Sequence, residues 1–302
     1  MGLCLTPFFM PREYRIAALI ALLLPHLAQA QARPATPTAS SKTATAAPSS
    51  GRNYASAGQP ALPNALSLSV GASHLQARDE ALLPVVHRGL GGDVVLGYRR
   101  SQAANQHEVI LAANIHSPVS RVDAGSQHIA LALHYRYLRL VADLGNYDEK
   151  HRKPASLWLG ARIGGGPGVQ SYPQIDEAHA YWSTLYQLGP SALIYWQAKP
   201  RLAWLNRLEL PLVALAARPP AKRTYFNDDP AFGPTMELAH QGMGAQFAHR
   251  AGELQLSSAL EYPLHKKVMQ RVSYVLRYSY ARMDAPWQSL NQGLQWQTSW
   301  SF

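Results

Sequence analysis

Three residues of the sequence carry side chains that could form a hydrolytic site. Ser126 and His128 are separated by one residue, so on a β-strand both would project from one face and the imidazole could accept the hydroxyl proton. His240 follows the acid pair Asp228-Asp229, and paired carboxylates with an imidazole can serve a protease. A Ser-x-His spacing is common by chance, however, and an acid pair on a loop is commonly just solvated. The favoured interpretation is therefore a protein without catalytic machinery, and an enzyme that uses Ser126, His128 and His240 is the alternative.

Neither a cofactor nor a metal is predicted. The run GARIGGGPG at residues 160–168 superficially resembles a phosphate-binding loop, but it lies in a strand pattern with no helix after it. Glycines in a strand are better explained by curvature or close packing. The twelve His residues are scattered without a metal-ligand spacing. The pair Asp228-Asp229 could help to bind Ca²⁺, but further regularly spaced oxygen ligands are missing.

Charged residues recur on the polar face of the predicted strands, and they form the candidate lumen or binding surface. Six are arginines and three are glutamates: Arg99, Arg136, Arg162, Arg207, Arg271, Arg277, Glu108, Glu209 and Glu261. Inside a narrow barrel such charges have to pair, because an isolated buried charge is costly to desolvate. Two interpretations stay open. The charges form an Arg–Glu–Tyr network that fills the lumen, or they line a narrow anion-selective path, since Arg outnumbers Glu.

Alternating segments from about residue 65 onward must position these charges. Residues 129–137 read IALALHYRY, so apolar and aromatic side chains alternate with small or polar ones. That period of two predicts strands with one apolar face, which persists on nearly every segment. A soluble sandwich would instead need a charged exterior and a dry core between two sheets. Trp and Tyr also recur near the predicted strand ends, as in the aromatic girdles of membrane barrels: Tyr98, Tyr137, Trp182, Trp196, Trp204, Tyr262, Tyr280, Trp296 and Trp300.

The stretch QGLQWQTSWSF at residues 292–302 carries the most specific signal. Leu294, Trp296, Thr298, Trp300 and Phe302 occupy one face, and polar side chains occupy the other. This stretch resembles the final strand of bacterial outer-membrane β-barrels, whose terminal Phe is part of the signal read by the barrel assembly machinery. Trp300 and Phe302 are therefore the expected assembly signal. The resemblance implies an all-β fold, a transmembrane antiparallel up-and-down β-barrel in the bacterial outer membrane.

The expected number of strands is ten, with twelve as the alternative. About eleven segments alternate, and the number must be even if both ends of the barrel lie in the periplasm. The barrel has ten strands if residues 233–250 form an outward loop or a hairpin extension. It has twelve if they span and the segment 182–197 is broken at Gly189-Pro190. Long outward connections are expected at residues 76–90, 118–125, 169–179 and 218–234.

The first 63 residues are expected to lie outside the barrel. Residues 1–30 are typical of a signal peptide, with Arg12 and Arg15 before the apolar run IAALIALLL and a cleavage site at residues 28–30. Residues 31–63 are rich in Ala, Pro, Ser and Thr, which predicts a disordered periplasmic tether. The barrel is therefore assigned to residues 64–302. Removal of the signal would also remove the single cysteine, Cys4.

Charge and composition bound the partners. The formal net charge is +10 over 302 residues, but it is spread through the strands, which disfavours nucleic-acid binding. Basic loop residues such as Arg218, Lys222 and Arg223 could meet lipopolysaccharide phosphates. The expected partners are outer-membrane lipid, lipopolysaccharide and the assembly machinery, and the oligomeric state stays open. The predicted function is a small outer-membrane barrel of structural, binding or narrow-pore type. The alternatives are the enzyme above, either lipid-modifying or proteolytic, and a barrel component of an export or adhesion assembly.

Overall fold

The computed structural model describes residues 64–302 except 81–82, 103, 122–124, 145–154, 173–175, 200, 219–236, 238 and 284–285. The predicted signal peptide and tether lie outside the described residues, and so do Asp228 and Asp229. No helix in the described part of the chain is long and apolar enough to cross a membrane.

Twelve strands form a single antiparallel sheet. The pairing order is β5-β4-β3-β2-β1-β12-β11-β10-β7-β6, and β5 also pairs with β6, which closes the sheet into a barrel. The predicted up-and-down barrel is therefore confirmed. The strands are β1 (Asn64–Asp79), β2 (Leu83–Ser101), β3 (Asn105–His116), β4 (Gln127–Asp143), β5 (Ala155–Tyr172), β6 (Asp176–Lys199), β7 (Leu202–Glu209), β8 (Val213–Ala217), β9 (Gly244–Phe247), β10 (Ala251–His265), β11 (Val268–Ala281) and β12 (Trp287–Ser301).

The barrel has ten strands around its circumference, because β8 and β9 continue β7 and β10 towards one end of the barrel. β6 pairs with β7 through residues 191–199 and with β8 through residues 184–188. The interruption between β7 and β8 falls at Pro211, which has no N–H for the ladder. Leu210 N and Leu212 N on either side still donate to Pro190 O and Leu188 O, at 3.1 and 2.9 Å. The prediction of ten strands is confirmed, and β6 runs unbroken through its Gly-Pro sequence.

Strands extend further than the alternation of the sequence indicates. We call the end of the barrel that carries Asn64 and Ser301 the inner end, and the opposite end the outer end. The long connections expected at residues 76–90 and 169–179 are wrong, since only residues 80–82 separate β1 from β2 and only 173–175 separate β5 from β6. β6 has 24 residues, a length of roughly 80 Å, whereas the apolar band of such barrels is about 25 Å tall. Beyond the band the outward face need not be apolar, so the alternation ends although the ladder continues.

The exterior of the barrel is apolar. Leu131, Leu133, Tyr274 and Trp296 are 44–57% exposed, so they do not pack against a second protein layer. A continuous apolar belt of this size would be unfavourable in water, and lipid chains cover it in a membrane barrel.

Aromatic rings lie on this exterior near the inner end. The ring centroids of Trp196 and Trp204 are 6.0 Å apart, and those of Tyr98 and Phe302 are 6.4 Å apart. Trp182 was also expected in a girdle, but it is buried, although its parity on β6 is that of the outward-facing Leu188 and Trp196. Thr184 has the same outward parity and is also buried, and its Oγ1 donates to Ala239 O at 2.5 Å, so a later segment of the chain covers this part of the outer face.

Candidate functional site

An ion-pair network, which we call the lumen network, joins β3, β4, β5 and β7 across the barrel interior. Arg136 on β4 contacts both Glu108 on β3 and Glu209 on β7. Arg162 Nη1 donates to Glu209 Oε2 at 2.7 Å, and Arg207 Nη2 donates to Glu108 Oε1 at 3.2 Å. All five side chains are buried or nearly so. Each carboxylate therefore serves two guanidinium groups, and each of these arginines is held by at least one carboxylate.

The pairing register of the strands brings several of these charges together. Arg99, Glu108, Arg136 and Arg162 are direct neighbours in one row across β2, β3, β4 and β5. Opposite charges that face one another across strands stabilise a sheet. Inside a barrel they also satisfy groups that could not be buried alone.

Glu253 on β10 extends the lumen network, although the sequence analysis did not select it. Arg162 Nη2 donates to Glu253 Oε1 at 2.9 Å, and Ser279 Oγ donates to Glu253 Oε2 at 3.0 Å. The sequence contains a signal for this position, because Glu253 has the same parity on its strand as the selected Glu261. A second pair lies apart from this network, where Arg271 Nη2 donates to Glu261 Oε2 at 2.5 Å.

Arg99 and Arg277 differ from the other arginines of the interior. Within the described residues, neither side chain donates a hydrogen bond or forms an ion pair, and Arg99 Nε is buried without a partner. Arg99 is only 8% exposed. Glu108 is its direct neighbour across the sheet, but that carboxylate already serves Arg136 and Arg207.

Two cavities follow one another along the interior. The inner cavity measures about 120 Å³, and its charged lining residues are Arg99, Glu108, Arg136, Arg207, Arg271 and Arg277. The outer cavity measures about 110 Å³, and its charged or imidazole lining residues are His128, His134, Arg162, Glu253 and Arg277. Ala112, His134 and Arg277 line both cavities, so the two meet at these residues.

The two sides of the interior near the inner end have different chemistry. Small hydroxyl and amide side chains of β1, β11 and β12 line the inner cavity: Ser67, Ser69, Ser273, Gln295, Gln297 and Ser299. A buried apolar cluster fills the side formed by β4 to β7 and β10: Leu138, Trp158, Leu193, Tyr195, Ala203, Leu205 and Ala259. Hydroxyl and amide groups can solvate an ion, whereas the apolar cluster cannot. The part of the inner cavity that can solvate an ion therefore lies along the wall of β1, β11 and β12.

A buried ion pair spans the interior near the outer end. Arg218 follows β8 and contacts Asp79 at the end of β1, and their side chains are 3% and 6% exposed. β8 and β1 are four positions apart in the ring of strands, because β9, β11 and β12 lie between them. In a ring of ten this is nearly opposite, so the pair bridges the outer mouth of the barrel.

The three candidate catalytic residues do not come together. Ser126 Oγ donates to Pro118 O at 3.0 Å and accepts from Gln170 Nε2 at 3.1 Å. Within the described residues it makes no hydrogen bond to His128, whose Nδ1 is buried without a partner. His240 Nε2 lies 2.9 Å from the hydroxyl of Tyr186 on β6, not beside Ser126. The geometry provides no activated nucleophile at Ser126.

A Ser–His pair that the sequence analysis missed lies in the outer half of the lumen wall. Ser73 Oγ and His116 Nε2 are 2.7 Å apart. Gly91 pairs with Ser73 on one side and with His116 on the other, and a Cβ at Gly91 would overlap the His116 ring. The nearby Asp93 does not complete a triad, because Asp93 Oδ1 and His116 Nδ1 have no hydrogen-bond partner among the described residues. Ser73 and His116 are buried and line neither of the two cavities.

The glycine run of residues 160–168 serves close strand packing. Gly164 and Gly165 have φ angles of 144° and 149°, which side chains rarely adopt. A Cβ at either position would overlap the backbone of β4 or β6. In the part of the chain that the structure describes, no group of three or more His, Cys, Asp or Glu is placed to hold a metal ion.

A closed antiparallel barrel with an apolar exterior and a charged interior defines a transmembrane β-barrel. The described part of the chain has this fold, as the sequence predicts. It is similar to the outer membrane protease OmpT from Escherichia coli, with 7% identity and a TM-score of 0.46 over 79% of this chain and 96% of that one. For Neisserial surface protein A the identity is 9% and the TM-score 0.33, over 79% and 99% of the two chains. For the translocator domain of the autotransporter NalP from Neisseria meningitidis they are 9% and 0.35, over 95% and 96%. No known family profile and no curated protein matches the sequence.

Proposed function

We propose that the protein is a narrow, anion-selective pore. The observation that carries the proposal is the pair of cavities in series, which have charged residues in their linings and meet at His134 and Arg277. Together they connect the serine- and glutamine-lined wall near the inner end with the outer half of the interior. Cavities of about 120 and 110 Å³ have room for a small ion and a few water molecules, but not for a large solute.

The balance of charge along this route favours anions. Among the described residues, the two cavities and the ion pairs that adjoin them carry six arginines and four glutamates: Arg99, Arg136, Arg162, Arg207, Arg271, Arg277, Glu108, Glu209, Glu253 and Glu261. The glutamates form ion pairs with the other arginines, whereas Arg99 and Arg277 have no carboxylate partner among the described residues. Their positive charges can therefore attract an anion in the cavities. Rings and clusters of arginine raise the local concentration of anions in a pore.

Planar bilayers test the proposal. Purified, refolded protein in a gradient of potassium chloride should give small conductance steps. Their reversal potential should be shifted from zero towards the equilibrium potential of chloride. Arg99→Gln and Arg277→Gln should each lower the ratio of anion to cation permeability, by roughly twofold or more. Arg100→Gln is the matched control, because Arg100 is the next residue on β2 and projects outward.

A closed barrel is the competing interpretation, in which the lumen network and the apolar cluster block the interior. Its support is that Arg136 and Arg162 each contact two carboxylates, as expected for a filled lumen. Folded protein that gives no conductance steps would support this interpretation and contradict the pore. Cation-selective steps would contradict the anion preference alone.

A further inference from the structure

We infer that the inner cavity is a binding site for a small oxyanion, a carboxylate or phosphate group, with Arg99 as its principal ligand. The inference deepens the proposed pore by naming its anion, and it rests on that proposal only for the route by which the anion arrives. The binding itself requires only the cavity, so it can be measured at equilibrium.

The charges that face the inner cavity are strongly unbalanced. Its described lining contains five arginines and one glutamate. That glutamate, Glu108, accepts from Arg207 and contacts Arg136, so its charge is already shared. Glu261 neutralises Arg271, but it does not line the cavity. The cavity thus presents a net positive surface whose nearest counter-charges are engaged elsewhere.

Arg99 is the group with unused binding capacity. Arg136 Nε and Arg207 Nε are also buried without a partner, but these two side chains form ion pairs through their other nitrogens. Arg99 donates no hydrogen bond within the described residues, and this is costly for a buried guanidinium group, because it has lost water without gaining an acceptor. An anion in the cavity would supply that acceptor. Arg271 lines the same cavity, so a second positive charge acts on the same space.

The shape of the donors selects an oxyanion over a halide. A guanidinium group presents parallel N–H donors that match the two oxygens of a carboxylate or phosphate, which a spherical ion cannot engage in the same way. Ser67, Ser69 and Ser273 add hydroxyl groups to the same lining. Ser69 Oγ is buried without a hydrogen-bond partner among the described residues, so it too can donate to a bound oxygen. A volume of about 120 Å³ fits inorganic phosphate or a short carboxylate.

Calorimetric titration of the folded, full-length barrel in zwitterionic micelles tests the inference. Phosphate, acetate and succinate are titrated separately at constant ionic strength, with chloride as the reference ion. We expect saturable binding at one site for phosphate or for a carboxylate, and the separate titrations tell the two sources apart. Arg99→Gln should weaken the binding at least about tenfold, and Arg100→Gln should leave it unchanged.

The variant Arg99→Lys separates this inference from the proposed pore. Lysine keeps the positive charge but lacks the planar fork, so the anion preference in bilayers should persist while oxyanion affinity falls several-fold. Arg277→Gln, at the junction of the two cavities, is a second test that applies even if the Arg99 variants do not fold. Equal affinity for chloride and the oxyanions, or no difference between Arg99→Gln and Arg100→Gln, would overturn the site. A barrel that binds phosphate but never conducts would refute the pore and leave the site standing.

Discussion

The substitution Glu209→Gln probes the lumen network most directly. Glu209 is 1% exposed, and its carboxylate contacts both Arg136 and Arg162. Glutamine has nearly the same size and still offers one carbonyl oxygen, but it carries no charge. Both guanidinium groups would lose their shared carboxylate, while Glu108 and Glu253 would each still hold one of them.

The expected loss of stability follows from these contacts. Removing one partner of a buried ion pair costs about 3–5 kcal/mol, and a hydrogen bond to a charged group contributes about 1.5–3 kcal/mol. The remaining carboxylates, and water in the adjoining cavities, should reduce the loss to roughly 2–4 kcal/mol. Glu80→Gln is the control, because the Arg78–Glu80 pair spans 3.2 Å with side chains 40% and 42% exposed. An exposed pair of this kind contributes about 0–1 kcal/mol.

Urea unfolding of barrels refolded into lipid vesicles, followed by tryptophan fluorescence, measures both variants. The free energy of unfolding should fall for Glu209→Gln by at least about 1.5 kcal/mol more than for Glu80→Gln, at an unchanged dependence on urea concentration. A difference below about 0.5 kcal/mol would refute the reasoning. It would mean that the interior is so well hydrated that its ion pairs behave like surface pairs.

Three further predictions concern other parts of the barrel. Asp79→Asn removes the charge that Arg218 contacts across the outer mouth, which weakens the ion pair that narrows the route. Single-channel conductance in bilayers should therefore rise, and an unchanged conductance would show that the pair does not narrow the route. Gly91→Ala places a methyl group against the Ile115 carbonyl oxygen and the His116 ring, so urea unfolding should show a loss of about 1–3 kcal/mol. Wild-type stability would mean that both the backbone of β3 and the ring move aside at little cost. Leu131→Arg puts a charge on the apolar exterior, where arginine costs about 2–4 kcal/mol near the middle of the bilayer. The same unfolding assay measures it, and no loss in vesicles would contradict the lipid-facing assignment of Leu131.

Local alternation was sufficient to predict the fold class and the inward or outward direction of most strand residues. A period of two is visible in a few neighbouring residues, so it required no knowledge of distant contacts. Alternation failed to predict the outer parts of β1, β2, β5 and β6, because these parts extend beyond the apolar band, where the outward face need not be apolar. It also placed Trp182 in a lipid-facing girdle, but a later segment of the chain covers this part of the outward face of β6, and local alternation cannot show such a distant contact.

The sequence by itself determined a membrane barrel whose polar face carries an excess of arginine, since both properties follow from residue type and parity, whereas the choice of ten strands over twelve was settled by the pairing of the strands. Only the tertiary structure decided which arginine meets which carboxylate. Arg162 and Glu209 are 47 positions apart in the chain, and Arg218 and Asp79 are 139 apart, so their contact depends on strand register and on closure of the ring. The same closure leaves Arg99 without a partner beside a cavity, and no local pattern can show this, because a cavity is the space that many distant side chains together fail to fill.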